Sequence, residues 1–215
     1  VAAVSVVAGG VLALREPDVR RLLAYSSVSQ FGLVGLGIGL ASPTALTGAL
    51  LALVGHAVAK GGLFVSAGAI AREFGARTVG EYAGLARRSP AHGAAVAAMA
   101  VSLVGLPPTV GFAAKWYLAL GAVEAGSWAV AAVVVLSTLL SLAYAGRLVE
   151  RLYLGEGGSD PTRGPAAPPT VATDGGRGDR WALAVVLVAA ALVVALGLAS
   201  TALADWFAPV VEGWL

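Results

Sequence analysis

The chain has 215 residues, of which 58% are hydrophobic and only 12% are charged. A soluble domain carries about 25% charged residues, so this composition, with a mean hydropathy of +0.85, excludes an ordinary soluble globular protein. The net charge is +2, and no basic cluster is long enough to follow a phosphate backbone, so nucleic-acid binding is not supported. The absence of cysteine excludes iron–sulfur clusters and thiolate metal sites held by this chain. We expect no cofactor here and no enzyme activity of the chain alone.

Apolar segments separated by short polar connections run along the chain, as in a polytopic helical membrane protein. Turn residues mark their ends: Glu16-Pro17-Asp18 breaks the first segment, Ser42-Pro43 caps the third, and Ser89-Pro90 precedes the fourth. The first segment is too short for a bilayer core of about 30 Å, and we interpret it as the tail of a cut helix. The sequence predicts an all-α transmembrane bundle of about five full spans and one partial N-terminal span, at 1–14, 22–40, 46–71, 92–121, 128–149 and 182–203.

The twelve arginines lie in alternate connections between these segments. They occur in the first, third and fifth loops, and none occurs in the second loop, the fourth loop or the C-terminal tail. By the positive-inside rule the arginine-rich loops are cytoplasmic and the C-terminus lies outside. Residues 155–181 are rich in glycine and proline and are interpreted as a flexible cytoplasmic linker before a final helix and tail at 182–215.

Both lysines of the chain lie inside predicted spans. Lys60 is roughly 17 to 21 Å along its helix from either predicted end, which is too deep for its ammonium to reach the membrane surface. His56 lies one turn earlier on the same helix face. A charge at this depth is costly and typically marks an ion path, so we expect Lys60 and His56 to relay protons. The alternative is that the two side chains only bridge helices.

The second lysine, Lys115, follows a break in the segment 92–121. Gly105, Pro107, Pro108 and Gly111 interrupt an otherwise continuous apolar run, and adjacent prolines cannot continue a helix. Broken membrane helices commonly build the ion sites of transporters. We therefore expect Lys115 to belong to the same relay. The alternative interpretation is a simple proline kink with a lysine whose ammonium extends to the membrane surface.

Two further groups of polar side chains lie on the predicted spans. They are candidates for the lining of a water wire, although serine and threonine also bond back to their own helix. These residues are Tyr25, Ser26, Ser29 and Gln30 in one span, and Ser137, Ser141 and Tyr144 in another.

Four motifs together resemble a known family. They are the run Glu16 to Gly32, the run HAVAKGGLF from His56, the pair Gly84-Leu85, and the run GLPPTVGFAAK from Gly105 to Lys115. The chain is similar to the proton-translocating, antiporter-like membrane subunits of respiratory complex I, membrane-bound hydrogenases and multisubunit Na⁺/H⁺ antiporters of the Mrp type. The motifs cover about residues 15–155.

The resemblance implies a fourteen-helix fold made of two inverted five-helix repeats, each with a broken helix and a half-channel. Residues 1–154 would then be the second repeat, with its first helix truncated. Lys60 with His56 would be the middle relay, and Lys115 would exchange protons with the outside. The implied setting is a hetero-oligomer of small hydrophobic antiporter subunits in a prokaryotic plasma membrane, transporting protons and Na⁺.

Within the family, the continuation Lys115-Trp-Tyr-Leu looks most like the D-type subunit of Mrp antiporters. The leading hypothesis is therefore a subunit of a Na⁺/H⁺ antiporter. The alternative is the proton-pumping membrane subunit of a complex I-like NADH or ferredoxin oxidoreductase, or of a membrane-bound hydrogenase. A third hypothesis is a membrane scaffold whose lysines only bind lipid or neighbouring subunits.

Overall fold

A computed structural model describes residues 1–155 and 177–214. Within these ranges the chain is helical apart from short connections and a 3-10 turn at Gly80–Tyr82. The α-helices are α1 (Ala2–Arg15), α2 (Val19–Gly39), α3 (Pro43–Glu73), α4 (Leu85–Arg88), α5 (Pro90–Val104), α6 (Val110–Glu124), α7 (Trp128–Leu154), α8 (Arg177–Leu198) and α9 (Ser200–Glu212).

The predicted transmembrane bundle is confirmed. Four helices, α2, α3, α7 and α8, are long and apolar enough to cross a membrane, and α1 and α5 are shorter apolar helices. The predicted fourth span, 92–121, is divided into α5 and α6 by residues 105–109, so the chain does break at the predicted place. The chain is therefore an all-α, multi-pass membrane protein.

The helix starts follow the predicted turn residues, with one difference. The side chains of Asp18 and Ser42 accept hydrogen bonds from the backbone N–H groups of Arg21 and Ala45, as N-caps do. Ser89 occupies the N-cap position of α5, but its hydroxyl makes no cap bond. It lies 2.9 Å from Nδ1 of His92 instead, because that buried ring competes with the backbone for the hydroxyl.

The last apolar segment differs from the single helix predicted at 182–203. It consists of α8 and α9, which are joined by a turn at Ala199, and helix continues to Glu212 where a tail was predicted. Gly197 lies against the backbone of Pro108 and Thr109, so close that a Cβ atom would overlap it. The predicted linker 155–181 falls largely outside the described residues, and α8 begins four residues before its predicted end.

Helix α3 is the centre of the bundle and packs against α2, α5, α6, α8 and α9. Small residues allow the close approach. A Cβ atom on Gly48 would come within 2.7 Å of the backbone nitrogen of Leu118 on α6. Since lipid tails are as apolar as the helices themselves, such close packing is a main source of association between membrane helices.

The three arginine-bearing connections meet at one end of the bundle. An antiparallel bridge joins Asp18 of the first loop to Thr78 of the third. The guanidinium of Arg87 donates a 3.0 Å hydrogen bond to the carbonyl of Gly155, which joins the third loop to the fifth. The alternation of arginine-rich and arginine-free loops thus reflects the two ends of the bundle.

Candidate functional site

Lys60 is buried between α3 and α2, with 5% of its surface exposed. It lies thirteen residues before the end of α3 at Glu73, which is about 20 Å of helix. Its ammonium donates to the carbonyl oxygen of Leu23 at 2.6 Å and to the hydroxyl of Ser26, both on α2. Two acceptors from one neighbouring helix therefore hold this charge at membrane depth.

Lys115, 8% exposed, is held by the break between α5 and α6. Its ammonium donates to the carbonyl of Val104 at 2.8 Å and to that of Leu103 at 3.5 Å. In a continuous helix these carbonyls would accept from the N–H groups four residues later. Those positions are Pro107 and Pro108, which have no N–H, so the proline pair frees the two carbonyls that Lys115 binds.

A chain of polar side chains connects the two lysines. Gln30 on α2 donates from Nε2 to the carbonyl of Leu103 and to the hydroxyl of Ser141 on α7, each at 3.4 Å. The hydroxyl of Tyr144 donates to Ser141 at 3.2 Å and also interacts with Ser26. Because Ser26 contacts Lys60 and Leu103 contacts Lys115, five helices (α2, α3, α5, α6 and α7) contribute to one polar path through the bundle.

His56 faces a small cavity beside this path. The cavity has a volume of about 20 Å³ and is lined by His56, Gln30, Ser102 and Lys115, among others. This exceeds the roughly 10–15 Å³ needed for one water molecule. Nδ1 of His56 is buried and has no hydrogen-bond partner within the described residues, and the ring of Phe31 packs edge-on against the imidazole, with 5.2 Å between the ring centroids. The histidine therefore shares a water-sized cavity with Lys115 as well as a helix face with Lys60.

Not all of the predicted water-wire residues reach the lysines. The hydroxyl of Ser29 donates to the carbonyl of Val6 on α1 at 2.8 Å, and that of Ser137 donates to its own helix at Val134. Tyr25 interacts with Arg21. The structure thus brings Ser26, Gln30, Ser141 and Tyr144 together with the lysines and gives the other three different partners.

Two residues of the site were missed in the sequence. Ser102 lines the cavity, and its signal was an isolated hydroxyl in an apolar run three residues before Gly105. Phe31 had no signal, since one more aromatic residue in an apolar helix is ordinary. Within residues 1–155 and 177–214, no group of three or more His, Asp or Glu side chains is placed to hold a metal ion.

The comparisons with known proteins agree with this geometry. The profile of the family described as "NADH:quinone oxidoreductase/Mrp antiporter, TM" matches residues 1–141. NADH-quinone oxidoreductase subunit N of Desulforudis audaxviator is 46% identical over 153 residues, which are 71% of this chain and 30% of the relative.

Two solved structures resemble the whole chain. A chain of the Mrp complex from Dietzia sp. DQ12-45-1b has a TM-score of 0.86 at 30% identity, covering 100% of this chain and 46% of that one. A chain of respiratory complex I from Thermus thermophilus with bound NADH has a TM-score of 0.82 at 30% identity, covering 99% of this chain and 42% of that one. This chain spans less than half the length of each of these proteins.

Proposed function

The chain belongs to the NADH:quinone oxidoreductase/Mrp antiporter transmembrane family, and on that premise we propose that it conducts protons within a multisubunit membrane complex. The polar path from Lys60 to Lys115 carries the proposal, since two ammonium groups buried at membrane depth are costly without a function. Relatives from complex I and Mrp, both multisubunit complexes, support the hetero-oligomeric setting.

The path allows a stepwise transfer. A proton leaves the Lys60 ammonium for the hydroxyl of Ser26, which passes its own proton to Tyr144, and Tyr144 passes its proton to Ser141. A hydroxyl both donates and accepts, so each transfer restores it. Ser141 contacts the amide of Gln30, which lines the water-sized cavity together with Lys115, and a water molecule there would carry the last proton to the neutral amine of Lys115. The net change is a neutral Lys60 and a charged Lys115.

Gln30 and His56 have different parts in this scheme. The amide of Gln30 holds Ser141 and the Leu103 carbonyl in place, and we assign it a positioning role because amides exchange protons poorly. The two ring nitrogens of His56 allow an imidazole to accept a proton at one and release it at the other, and His56 shares a helix face with Lys60 and a cavity with Lys115, which supports its role as a relay between Lys60 and the cavity.

We further propose that residues 1–154 form the second inverted repeat, with Lys115 as the residue that exchanges protons with the outside. In this arrangement the arginine-rich loops are cytoplasmic and the C-terminus is external. The membrane is the plasma membrane of a prokaryote. The meeting of the three arginine-bearing loops at one end of the bundle supports this topology.

Two driving reactions are compatible with this relay. The name of the relative at 46% identity favours a proton pump driven by quinone chemistry in other subunits. The TM-score of 0.86 against the Mrp complex favours Na⁺/H⁺ antiport, the leading hypothesis from the sequence. We place the redox-driven pump first because the curated relative has the higher identity, and we keep the antiporter as the second candidate.

The test uses the purified complex that contains this chain, reconstituted into liposomes with a pH-sensitive dye. Lys60→Ala and Tyr144→Phe are each expected to lower proton transport by about tenfold or more. Tyr153→Phe is the matched control, because Tyr153 lies on the same helix as Tyr144 but is 40% exposed. Normal transport by assembled Lys60→Ala protein would support the scaffold hypothesis and exclude the relay.

Iron and flavin analysis of the same complex separates the two driving reactions. Stoichiometric iron–sulfur clusters in partner subunits are expected for the pump. Their absence together with a Na⁺-dependent proton flux would assign the complex to antiport.

A further inference from the structure

A second polar cavity lies away from the lysine path, at the end of the bundle where the arginine-bearing loops meet. It has a volume of about 110 Å³ and lies between the start of α2, the last turns of α3 and the segment that follows α3. Its lining residues are Asp18, Val19, Arg20, Ala67, Ala71, Arg77 and Tyr82.

Backbone pairing fixes the walls of this cavity. The N–H of Val19 donates to the carbonyl of Arg77 at 2.9 Å, and the N–H of Val79 donates to the carbonyl of Pro17 at 2.8 Å. The segment after α3 is thereby attached to the first turn of α2. The backbone of Arg77 is held in this pairing, so the point from which its side chain extends is fixed. Arg20 lines the same cavity.

Positive charge exceeds negative charge at this cavity, since Arg20 and Arg77 both line it and Asp18 is the one carboxylate among its lining residues. Nη2 of Arg20 and Nη1 of Arg72 both lie 3.8 Å from the position that a Cβ atom on Gly68 would occupy. Within the described residues, Arg20 and Arg72 make no ion pair, whereas Arg21 pairs with Glu16 at 3.4 Å.

Carboxylates on the neighbouring elements have other partners or face solvent. Asp18 accepts the Arg21 N–H and so caps α2. Glu81 accepts the N–H groups of Arg77 and Thr78. Glu73, in the last turn of α3, is exposed. These hydrogen bonds leave the charges of Asp18 and Glu81 in place, but the guanidinium groups of Arg20, Arg72 and Arg77 outnumber the two carboxylates, and the remaining positive charge favours an anion.

Tyr82 adds a polar group that points to a ligand. The side chain lines the cavity and is 2% exposed, yet within the described residues its hydroxyl makes no hydrogen bond. Burial raises the pKa of this hydroxyl, the nearby positive charge of Arg20 opposes the shift, and the negative charge of Asp18 adds to it. A neutral buried hydroxyl beside two guanidinium groups is a hydrogen-bond donor available to an oxyanion.

We propose that this cavity binds the phosphate of an anionic phospholipid head group, with Arg20 and Arg77 as its charged ligands and Tyr82 as a neutral donor. Guanidinium groups match phosphate oxygens in geometry and charge. The cavity opens at the membrane end of α2 and α3, where lipid phosphates are concentrated, and basic pockets between membrane helices bind such head groups. Its volume is several times the roughly 10–15 Å³ that one water needs, enough for a tetrahedral anion.

The experiment is native mass spectrometry of the complex that contains this chain, titrated with phosphatidylglycerol or with phosphatidylcholine. The double variant Arg20→Gln/Arg77→Gln is expected to weaken phosphatidylglycerol binding by about tenfold or more, since two charge-assisted contacts are lost. Arg15→Gln is the matched control, because it removes the same charge from the same loop but lies outside the cavity. It is expected to change binding by less than about twofold.

Two milder variants keep the proposal testable if the double variant fails to assemble. Tyr82→Phe removes one hydroxyl and is expected to weaken binding by about threefold. Arg20→Lys keeps the charge but loses the planar fork, and its effect should be smaller than that of Arg20→Gln.

Three results would overturn the assignment. One is equal binding of phosphatidylcholine and phosphatidylglycerol. Another is an equal loss in the Arg15→Gln control. The third comes from a parallel titration with inorganic phosphate. If the double variant weakens phosphate binding but leaves phosphatidylglycerol binding unchanged, the cavity binds a free anion and not a lipid.

Discussion

Lys60 and Lys115 carry the same charged group at similar burial, but different structures hold them. Lys60 lies in the uninterrupted helix α3 and finds a hydroxyl and a carbonyl on the neighbouring helix α2. Lys115 lies on a half-helix and binds the two carbonyls that the preceding proline pair leaves without donors. The first site depends on packing between helices, and the second depends on a break within one membrane segment.

This difference determines how each site responds to change. The acceptors of Lys60 depend on the packing of α2 against α3, and one of them, the Ser26 hydroxyl, is a side-chain group that a substitution can remove. The acceptors of Lys115 exist because Pro107 and Pro108 supply no N–H to the carbonyls of Leu103 and Val104, so they depend on the residues at the break itself. Substitutions at the break are therefore expected to affect Lys115 without changing the contacts of Lys60.

Gly111→Ala is expected to have the largest effect. A Cβ atom at this position would overlap the carbonyl oxygen of Ser102, and overpacking of this kind costs about 1–3 kcal/mol or more of unfolding free energy. The amount of assembled complex in membranes should fall strongly, as measured by quantitative blotting after blue native electrophoresis. Gly61→Ala is the control, since a Cβ atom there meets nothing within 4 Å. Equal yields of the two variants would contradict the close packing of the broken segment.

Lys60→Arg and Lys115→Arg are expected to assemble but to lower proton transport by about tenfold or more. Arginine keeps the positive charge and reaches similar acceptors, but it does not lose its proton in proteins. Proton flux in reconstituted liposomes measures the effect. Wild-type flux in either variant would show that the lysine acts only as a fixed charge.

Ser26→Ala is expected to act on Lys60 alone. It removes a charge-assisted hydrogen bond worth about 1.5–3 kcal/mol, and it interrupts the path to Tyr144, so transport should fall by about tenfold. Ser29→Ala is the matched control on the same helix, because Ser29 donates to Val6 and not to the path. If proton transport falls to the same extent in both alanine variants, the loss reflects the packing of α2 and not the relay.

Pro107→Ala is expected to have the smallest effect and to act at the Lys115 site and not at Lys60. The new N–H at position 107 competes with Lys115 and Gln30 for the Leu103 carbonyl, while the Val104 carbonyl stays free. The loss of one weak contact worth about 0.5–1.5 kcal/mol should lower transport by about threefold. Transport is measured in the same liposomes, and unchanged flux would mean that the Val104 carbonyl alone holds Lys115.

Much of the site could be predicted because its strongest features are local in sequence. Lysines inside apolar segments and adjacent prolines can be recognised without knowing which residues pack against them. The predicted helix around Lys60 and the predicted break before Lys115 are both confirmed. The division of the last apolar segment at Ala199 was not predicted, since no proline precedes that turn and it occurs where Gly197 meets the backbone of another helix. The roles of the site residues in transport stay predictions.

The amino-acid sequence by itself determined the all-α membrane class, the position of the helix break and the clustering of arginines in alternate loops, because hydropathy, missing N–H donors and charge act within a few residues along the chain. Only the tertiary structure decided which hydroxyls join the lysines. Ser26 and Ser29 are one turn apart and chemically identical, yet one contacts Lys60 and the other contacts Val6. The packing of α1 and α3 on different faces of α2 makes that choice, and no local pattern in the sequence encodes it.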